Sequence, residues 1–188
     1  TNPTDAGAGT VNTGGGGGSF TGSYCSSGPT QNFYSNIDLV QLIGDVGSII
    51  NNTAGTCDMY EDYTTMSTNL TAGQSYSMRV DLGTCDPSWA FVDAAKIFID
   101  WNIDGDFDDL DEEIQLIGPV QSPSTHTFSF TVPSSALSGN TRMRVVCQNY
   151  AYNGNSTVFG PCDSTVWFGA TEDYSLVINA STISATYL

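Results

Sequence analysis

Residues 63–80 read YTTMSTNLTAGQSYSMRV, two alternating polar and apolar runs joined by a short connection that contains Gly73. Alternation with a period of two is typical of a strand that buries one face. The stretch therefore predicts a β-hairpin with its turn at residues 69–73. Opposed residues of such a hairpin have numbers that sum to about 142. The numbers of Cys57 and Cys85 have that sum, so these cysteines are expected to face each other just beyond the hairpin.

Short strands recur along the rest of the chain. From Tyr24 onward, apolar stretches alternate with Gly, Pro, Asn, Asp and Ser, and no segment carries a helical apolar stripe over three turns. This pattern predicts an all-β fold, an antiparallel β-sandwich of about nine strands. The predicted strands lie near residues 36–43, 46–51, 59–67, 74–82, 94–101, 112–118, 125–132, 141–150 and 172–180.

The chain divides into three segments. Residues 1–22 include five consecutive glycines and predict a flexible Gly-rich linker. Residues 23–180 form the predicted sandwich domain, a size at which one core is sufficient. Residues 181–188 are expected to be a tail or the start of the next module.

The composition is that of a folded, strongly acidic protein. Hydrophobic residues make up 39% of the 188 residues and charged residues only 13%, unlike a disordered acidic segment. Twenty Asp and Glu against four Lys and Arg give a net charge of −16. This charge argues against nucleic acid or an anionic membrane surface as a partner. No apolar run has the roughly 20 residues that membrane insertion requires.

Five cysteines point to disulfides in an oxidising compartment. They show none of the CxxC spacings of zinc sites, so a secreted or extracellular protein is expected. In the predicted strand TRMRVVCQNY, Met143, Val145 and Cys147 share one face, which makes Cys147 a core thiol. An odd number of cysteines leaves one thiol over, which is buried, paired between molecules, or separated from its partner by truncation.

The most acidic stretch is IDWNIDGDFDDLDEE, residues 99–113, which holds eight carboxylates. It follows the pattern of an EF-hand calcium loop, with Asp100, Asn102, Asp104 and Gly105 at the first, third, fifth and sixth positions. Ca²⁺ takes six to eight oxygen ligands, and a glycine at the sixth position lets the backbone turn around the ion. The sequence before the loop predicts a strand, so this calcium loop would join two strands.

Ca²⁺ is therefore the expected cofactor. Asp106 is a further ligand through its carbonyl or carboxylate, and a later acid must complete the shell. The spacing does not choose among the candidates Asp108, Asp109, Asp111 and Glu112. The alternative is a solvated acidic loop without an ion. Mg²⁺ fits less well, because it usually keeps several waters.

Catalytic motifs are absent from the sequence. His126 is the single histidine, and no HExxH or GxSxG motif is present, so no catalytic residue is predicted. Paired carboxylates could serve a glycoside hydrolase, the least favoured interpretation. The acids Glu61, Asp62, Glu172 and Asp173 recur in two EDY motifs that are typical of strand-edge structure.

An aromatic, Asn- and Gly-rich loop at residues 149–168 indicates an alternative function. Long loops at the ends of sandwiches are common recognition sites, and aromatic rings can stack on sugars. A carbohydrate-binding module would use Tyr150, Tyr152 and Trp167. Core packing of these large aromatics is the competing interpretation.

Several motifs together resemble a known family. They are YCSSG at 24–28, NNTAG at 51–55, YEDYT at 60–64, IDWNIDGDFDD at 99–109, TRMRV at 141–145 and GATEDYSLVI at 169–178. In this order they resemble the GEVED domain of secreted and surface proteins of Bacteroidetes-type bacteria, over about Tyr24 to Asn179. Ala170 and Thr171 replace the Glu and Val of the naming motif.

The resemblance implies a β-sandwich accessory module without an established catalytic activity. It places Asp109 and Glu112 on the last two acids of the loop, which favours Glu112 as the closing ligand, with Asp108 or Asp109 completing the shell. It also pairs Cys25 with Cys162, which leaves Cys147 unpaired.

The expected function is thus a non-catalytic, calcium-stabilised extracellular accessory, scaffold or adhesion module of a larger surface protein or filament. The expected partners are neighbouring domains or subunits of a surface assembly, and glycans.

Overall fold

A computed structural model describes residues 18–164 and 168–181. These residues contain strands and no helix. The strands are β1 (Gly18–Ser19), β2 (Ser35–Ile43), β3 (Ser48–Asn52), β4 (Tyr60–Thr71), β5 (Ser75–Thr84), β6 (Phe91–Ile99), β7 (Glu113–Ser122), β8 (Ser124–Thr131), β9 (Gly139–Asn149) and β10 (Gly169–Asn179).

The strands form two sheets. The larger has the order β4-β10-β9-β6-β7, with β1 added to β9, and the smaller has the order β3-β2-β5-β8. Each of the nine predicted strands is present, so the prediction of an all-β sandwich is confirmed. The larger sheet is not purely antiparallel, because β4 pairs with β10 and β1 pairs with β9 in the parallel direction. The smaller sheet is antiparallel throughout.

The predicted hairpin at residues 63–80 is wrong, since β4 and β5 lie in different sheets. The backbone at the turn between them bonds to other elements: Ala72 N donates to Asn179 O, and Gly73 N donates to Val132 O. Alternation reports that each run buries one face. It does not report whether the next strand lies beside that run or across the core.

The core lies between the two sheets and is filled by one face of each. Its fully buried members include Leu70, Met78, Val80 and Leu176. The predicted inward face of β9 is confirmed, as Met143, Val145 and Cys147 belong to this core. A second, smaller apolar cluster consists of Ala94, Phe98, Phe107, Val146 and Phe159.

Both predicted disulfides are present. Cys25 is bonded to Cys162 with a Cα–Cα distance of 5.5 Å, and Cys57 to Cys85 with 6.0 Å. Cys147 is free and buried, as predicted. The predicted pairing of Cys57 with Cys85 is correct although the hairpin from which it was predicted is not formed. β4 and β5 have similar lengths and run in opposite directions from the turn that joins them. The ends remote from the turn, next to which Cys57 and Cys85 lie, are therefore near each other although the two strands belong to different sheets.

The described structure begins within the predicted linker. Gly18 and Ser19 pair with Gly139 and Asn140 at the start of β9, five residues before the expected domain boundary. Most of the linker, at residues 1–17, and most of the tail, at residues 182–188, lie outside the described residues.

Candidate functional site

The acidic loop connects β6, which ends at Ile99, to β7, which begins at Glu113. Burial alternates along it. Trp101, Ile103, Gly105 and Phe107 are buried, whereas Asn102, Asp104 and Asp106 are half-buried. Gly105 has a φ of 98°, a conformation that favours glycine. The inward residues anchor the loop and turn the intervening polar side chains toward solvent.

Three carboxylates gather on the outer side of this loop. Oxygen atoms of Asp104, Asp106 and Asp109 lie within 4.8 Å of one another. Asn102 joins them, because its Nδ2 donates to Asp104 Oδ2 at 2.8 Å and to Asp109 Oδ2 at 2.6 Å. The structure thus brings together four of the seven predicted metal ligands.

Asp100 has a different position from the one predicted. It is buried, and its Oδ1 accepts a hydrogen bond from Ile103 N at 2.6 Å. Its Oδ2 accepts from Gly105 N at 3.1 Å and from the Tyr24 hydroxyl at 2.7 Å. Burial raises the pKa of Asp100, and the Tyr24 bond opposes this. Asp100 holds the turn and lies outside the three-carboxylate cluster.

Glu112 closes the loop from its other end. It is buried, its Oε1 accepts from Trp101 N at 2.8 Å, and its Oε2 accepts from Asp109 N at 3.4 Å. Burial raises its pKa to about 8. Asp108 is exposed and donates its backbone N–H to Asp106 Oδ1 at 3.1 Å. Neither Glu112 nor Asp108 belongs to the cluster of three.

The charge of the cluster is not balanced by protein cations. Each Lys and Arg side chain forms its ion pair elsewhere: Arg79 with Asp81, Lys96 with Glu113, and Arg142 and Arg144 with Asp173. Burial, followed by the neighbouring acids Asp108 and Asp104, raises the pKa of Asp106 to about 7. Crowded carboxylates without a cation favour protonation or the binding of an ion.

Sequence reasoning missed two aromatic residues that support the loop. The Tyr24 ring lies 5.1 Å from the Phe107 ring, and its hydroxyl reaches Asp100. A Cβ atom at Gly105 would lie 2.1 Å from the Phe20 ring, so glycine is required there for a second reason. These contacts join residues about 80 positions apart in the sequence, so no local sequence pattern could predict them.

The aromatic loop supplies two members of a larger ring cluster, Tyr152 and Phe168. Tyr152 stacks on Tyr34 with 5.5 Å between centroids and lies 4.7 Å from Phe168. Tyr34 also lies 4.4 Å from Phe91. Tyr150 continues from β9, where its N donates to Val92 O. Trp167 lies outside the described residues. Sequence reasoning missed Tyr34, which is the centre of this cluster.

The two EDY motifs lie side by side. In the parallel pairing of β4 and β10, Glu61 is opposite Glu172, Asp62 opposite Asp173, and Tyr63 opposite Tyr174. The expectation of strand-edge structure holds only for β4. β10 lies between β4 and β9, and Glu172 and Asp173 are fully buried.

Asp173 is the centre of an ion-pair network on the side of β10 opposite Glu172. Arg144 Nε donates to its Oδ1 at 2.7 Å, and Arg142 Nη1 donates to its Oδ2 at 2.7 Å. The Tyr60 hydroxyl adds a bond of 3.0 Å to Oδ2. Arg144 also donates to the carbonyls of Cys25 and Pro161, so that this network fixes the disulfide region on the sheet.

One serine–histidine contact exists. The Ser124 hydroxyl and His126 Nε2 are 2.8 Å apart on β8. No carboxylate accepts a hydrogen bond from His126 within the described residues. The contact therefore lacks the orienting acid of a catalytic triad.

The disulfides and the lack of a membrane-spanning helix in the described residues bear on the cellular location of the protein. The two disulfides indicate an extracellular or secreted protein. No helix in the described part of the chain is long and apolar enough to span a membrane.

A family model and a solved structure are similar to this chain. No curated protein matches the chain. A crystal structure of a Niemann-Pick type C2 protein from Japanese carpenter ant is similar, with a TM-score of 0.41 and 9% identity, over 82% of this chain and 99% of that chain. So distant a likeness says nothing of function. The family model of the GEVED domain matches residues 94–177, which include the acidic loop and most of the second EDY strand. The predicted resemblance to the GEVED domain is thereby confirmed over residues 94–177, a little under half of the chain.

Proposed function

We propose that this chain is a non-catalytic, calcium-stabilised accessory or scaffold module of a larger exported surface protein or filament. The observation that carries the proposal is the convergence of Asp104, Asp106 and Asp109 on one side of a well-anchored loop. Neighbouring domains or subunits of the same assembly are its partners, and residues 23–180, extended to Gly18 by β1, are its folded unit.

The donor set fits Ca²⁺. Hard carboxylate oxygens are ligands that Ca²⁺ prefers, and Asp104, Asp106 and Asp109 offer them on a single loop. Asn102 contacts two of these carboxylates through Nδ2, while its Oδ1 accepts from Asp104 N. A bound ion would supply the positive charge that the cluster lacks. Asp100 and Glu112 hold the loop ends through backbone hydrogen bonds, and Asp108 lies at the rim, so these three residues are supporting or completing ligands.

A non-catalytic function is supported by the chemistry of the described side chains. The densest group of acids belongs to the proposed calcium loop, and the single histidine contacts only a serine among hydrogen-bond partners. Asp173, the other conspicuous acid, is saturated by two arginines and a tyrosine. None of these arrangements combines a nucleophile with an oriented general base.

Calorimetric titration and thermal melting test the calcium site. An ion that binds only the native state stabilises it by about 2.7 kcal/mol at a hundred times its dissociation constant. We expect Ca²⁺ to raise the melting temperature, and Asp104→Asn combined with Asp106→Asn to abolish both heat of binding and stabilisation. Asp58→Asn is the control, since Asp58 is an exposed acid outside the loop. Melting curves that superimpose in Ca²⁺ and in chelator would refute the site.

Glycan recognition is the second candidate function. It is favoured by the half-exposed Tyr152 ring, which stacks on Tyr34 beside the exposed Phe33. Aromatic faces of this kind bind sugar rings. A glycan array should give a hit that Tyr152→Ala removes, whereas Val158→Ala, an exposed apolar residue of the same loop, should retain it. An array without hits, or a hit that Tyr152→Ala does not change, would contradict glycan recognition at this site and leave the scaffold role as the proposed function.

A further inference from the structure

The repeated EDY motif places two glutamates next to each other in a buried part of the larger sheet. Glu61 of β4 is the register partner of Glu172 of β10. Side chains of directly opposed residues in neighbouring strands point to the same face and lie close together. The two carboxyl groups therefore face the same environment, on the core side of the sheet, where Tyr174 is also buried.

Neutral hydroxyl groups donate hydrogen bonds to three of the four carboxyl oxygens of this pair. The Thr53 hydroxyl donates to Glu172 Oε1 at 3.0 Å, and the Tyr174 hydroxyl donates to Glu172 Oε2 at 2.6 Å. The Tyr63 hydroxyl donates to Glu61 Oε1. Glu61 Oε2 is buried and has no hydrogen-bond partner. Glu172 itself is fully buried.

No cation of the chain reaches the pair. All four Lys and Arg residues and the single His lie in the described residues, and each has its partner elsewhere. Arg79 pairs with Asp81, Lys96 with Glu113, both Arg142 and Arg144 with Asp173, and His126 with Ser124. Asp173 and its arginines lie on the opposite face of β10, because successive residues of a strand alternate.

The other titratable groups around the pair cannot supply positive charge either. They are the phenols of Tyr63 and Tyr174, whose rings stack at 5.7 Å, and the buried thiol of Cys147. Asn51, which donates to the Tyr174 hydroxyl at 2.9 Å, and Thr53 are neutral. Two adjacent carboxylates in such surroundings cannot both stay ionised, and a shared proton is the usual solution.

We propose that Glu61 and Glu172 share one proton and that this proton holds the first half of β4 to β10, so that its loss loosens an outermost strand of the sandwich. A protonated carboxyl provides the donor that the unpartnered Glu61 oxygen lacks. β4 is the last strand of its sheet, so its movement requires no displacement of a further strand.

The direction of the pH dependence follows from the burial of Glu172. Burial, with Glu61 as a further cause, raises the pKa of Glu172 to about 8. A carboxyl whose pKa is raised by folding contributes its full stability at low pH, and this contribution is lost as the pH rises through the folded pKa. The contact between Glu61 and Glu172 that holds β4 to β10, called the latch below, is therefore closed at neutral pH and opens in mildly alkaline solution.

Carboxyl-carbon NMR of glutamate-labelled protein tests the shared proton. The wild type should show a Glu172 step near pH 8 that is coupled to its neighbour Glu61. Glu61→Gln should leave a single Glu172 step that is lower by about one pH unit. Asp62→Asn, the neighbour in the same motif, should not change the Glu172 step. A wild-type Glu172 step below about pH 5 would overturn the proposal.

Hydrogen exchange of the wild type tests the latch without any substitution. A register shift divides the β4–β10 pairing into residues 60–63 and residues 67–71. Between pH 7 and 9, exchange at 60–63 should accelerate more than at 67–71, after correction for the intrinsic rates of each amide. Equal acceleration in both halves would show that the proton does not hold the strand.

Discussion

At the scale of single residues, Asp93 illustrates how a buried acid without a cation sets the pH response of this domain. Asp93 is fully buried, and its Oδ1 accepts bonds from Ser35 Oγ at 2.5 Å and Asn149 Nδ2 at 3.3 Å. Its Oδ2 has no partner. Burial raises its pKa to about 6. Its contribution to stability is complete below its ordinary pKa and is lost as the pH rises through about 6.

Asp93→Asn should therefore stabilise the protein at pH 7.5, by about 1–2 kcal/mol, because a neutral amide avoids the burial of charge. At pH 4 the advantage should vanish, since Asp93 is then protonated. Chemical denaturation of both proteins at the two pH values measures this difference. Asp58→Asn, at an exposed position, is the control and should have no effect. A variant that is less stable than the wild type at pH 7.5 would show that the carboxylate is stabilising as an ion.

Gly105 shows a second residue-scale requirement, because both its backbone and its neighbour exclude a side chain. Its φ is 98°, and an added Cβ would meet the Phe20 ring at 2.1 Å. Gly105→Ala should lower the free energy of unfolding by about 1–3 kcal/mol. Gly160→Ala is the matched control, as nothing lies within 4 Å of its added Cβ, and it should be nearly neutral. Equal stabilities of the two variants would contradict the packing of Phe20 on the loop.

At the scale of strands, alternation located the elements well because each strand buries one face on the core. Alternation did not predict which strands pair with each other. The turn at Gly73 connects a strand of one sheet to a strand of the other, whereas the pattern had predicted two paired strands of one sheet. The acidic loop shows the same division. Spacing alone found Asp104 and Asp106, whereas the inward positions of Asp100 and Glu112 depend on Tyr24 and on backbone donors that folding alone brings near.

The two disulfides act on the elements they connect, and their effects should differ in size. The Cys25–Cys162 bond spans 137 residues and the Cys57–Cys85 bond spans 28. In the chain-entropy model the longer loop stabilises more, about 5 against about 3.5 kcal/mol. Paired Cys→Ala variants, compared by chemical denaturation, should follow this order. A greater loss from removing Cys57–Cys85 would indicate that the connection between the two sheets, and not the loop length, determines the contribution.

At the scale of the whole molecule, the dominant quantity is charge. The net charge is −16, and each of the four basic side chains is already bonded to an acid. The remaining carboxylates repel one another over distances comparable to the size of the domain. Repulsion of this kind destabilises a compact state. It is also reduced by added salt, because the Debye length falls from about 30 Å at 0.01 M to about 10 Å at 0.1 M.

Thermal stability should consequently rise with ionic strength even when calcium is removed. In chelator at pH 7.5, the melting temperature is expected to increase steadily as NaCl is raised from about 0.01 to about 0.5 M, the range over which the Debye length shrinks most. Ca²⁺ at equal ionic strength should raise it further, and only this second increase should disappear in Asp104→Asn combined with Asp106→Asn. The two contributions are separable because screening acts on every carboxylate, whereas the ion acts on the loop. A melting temperature that is flat or falls with NaCl would mean that local pairing has already neutralised the acidic surface.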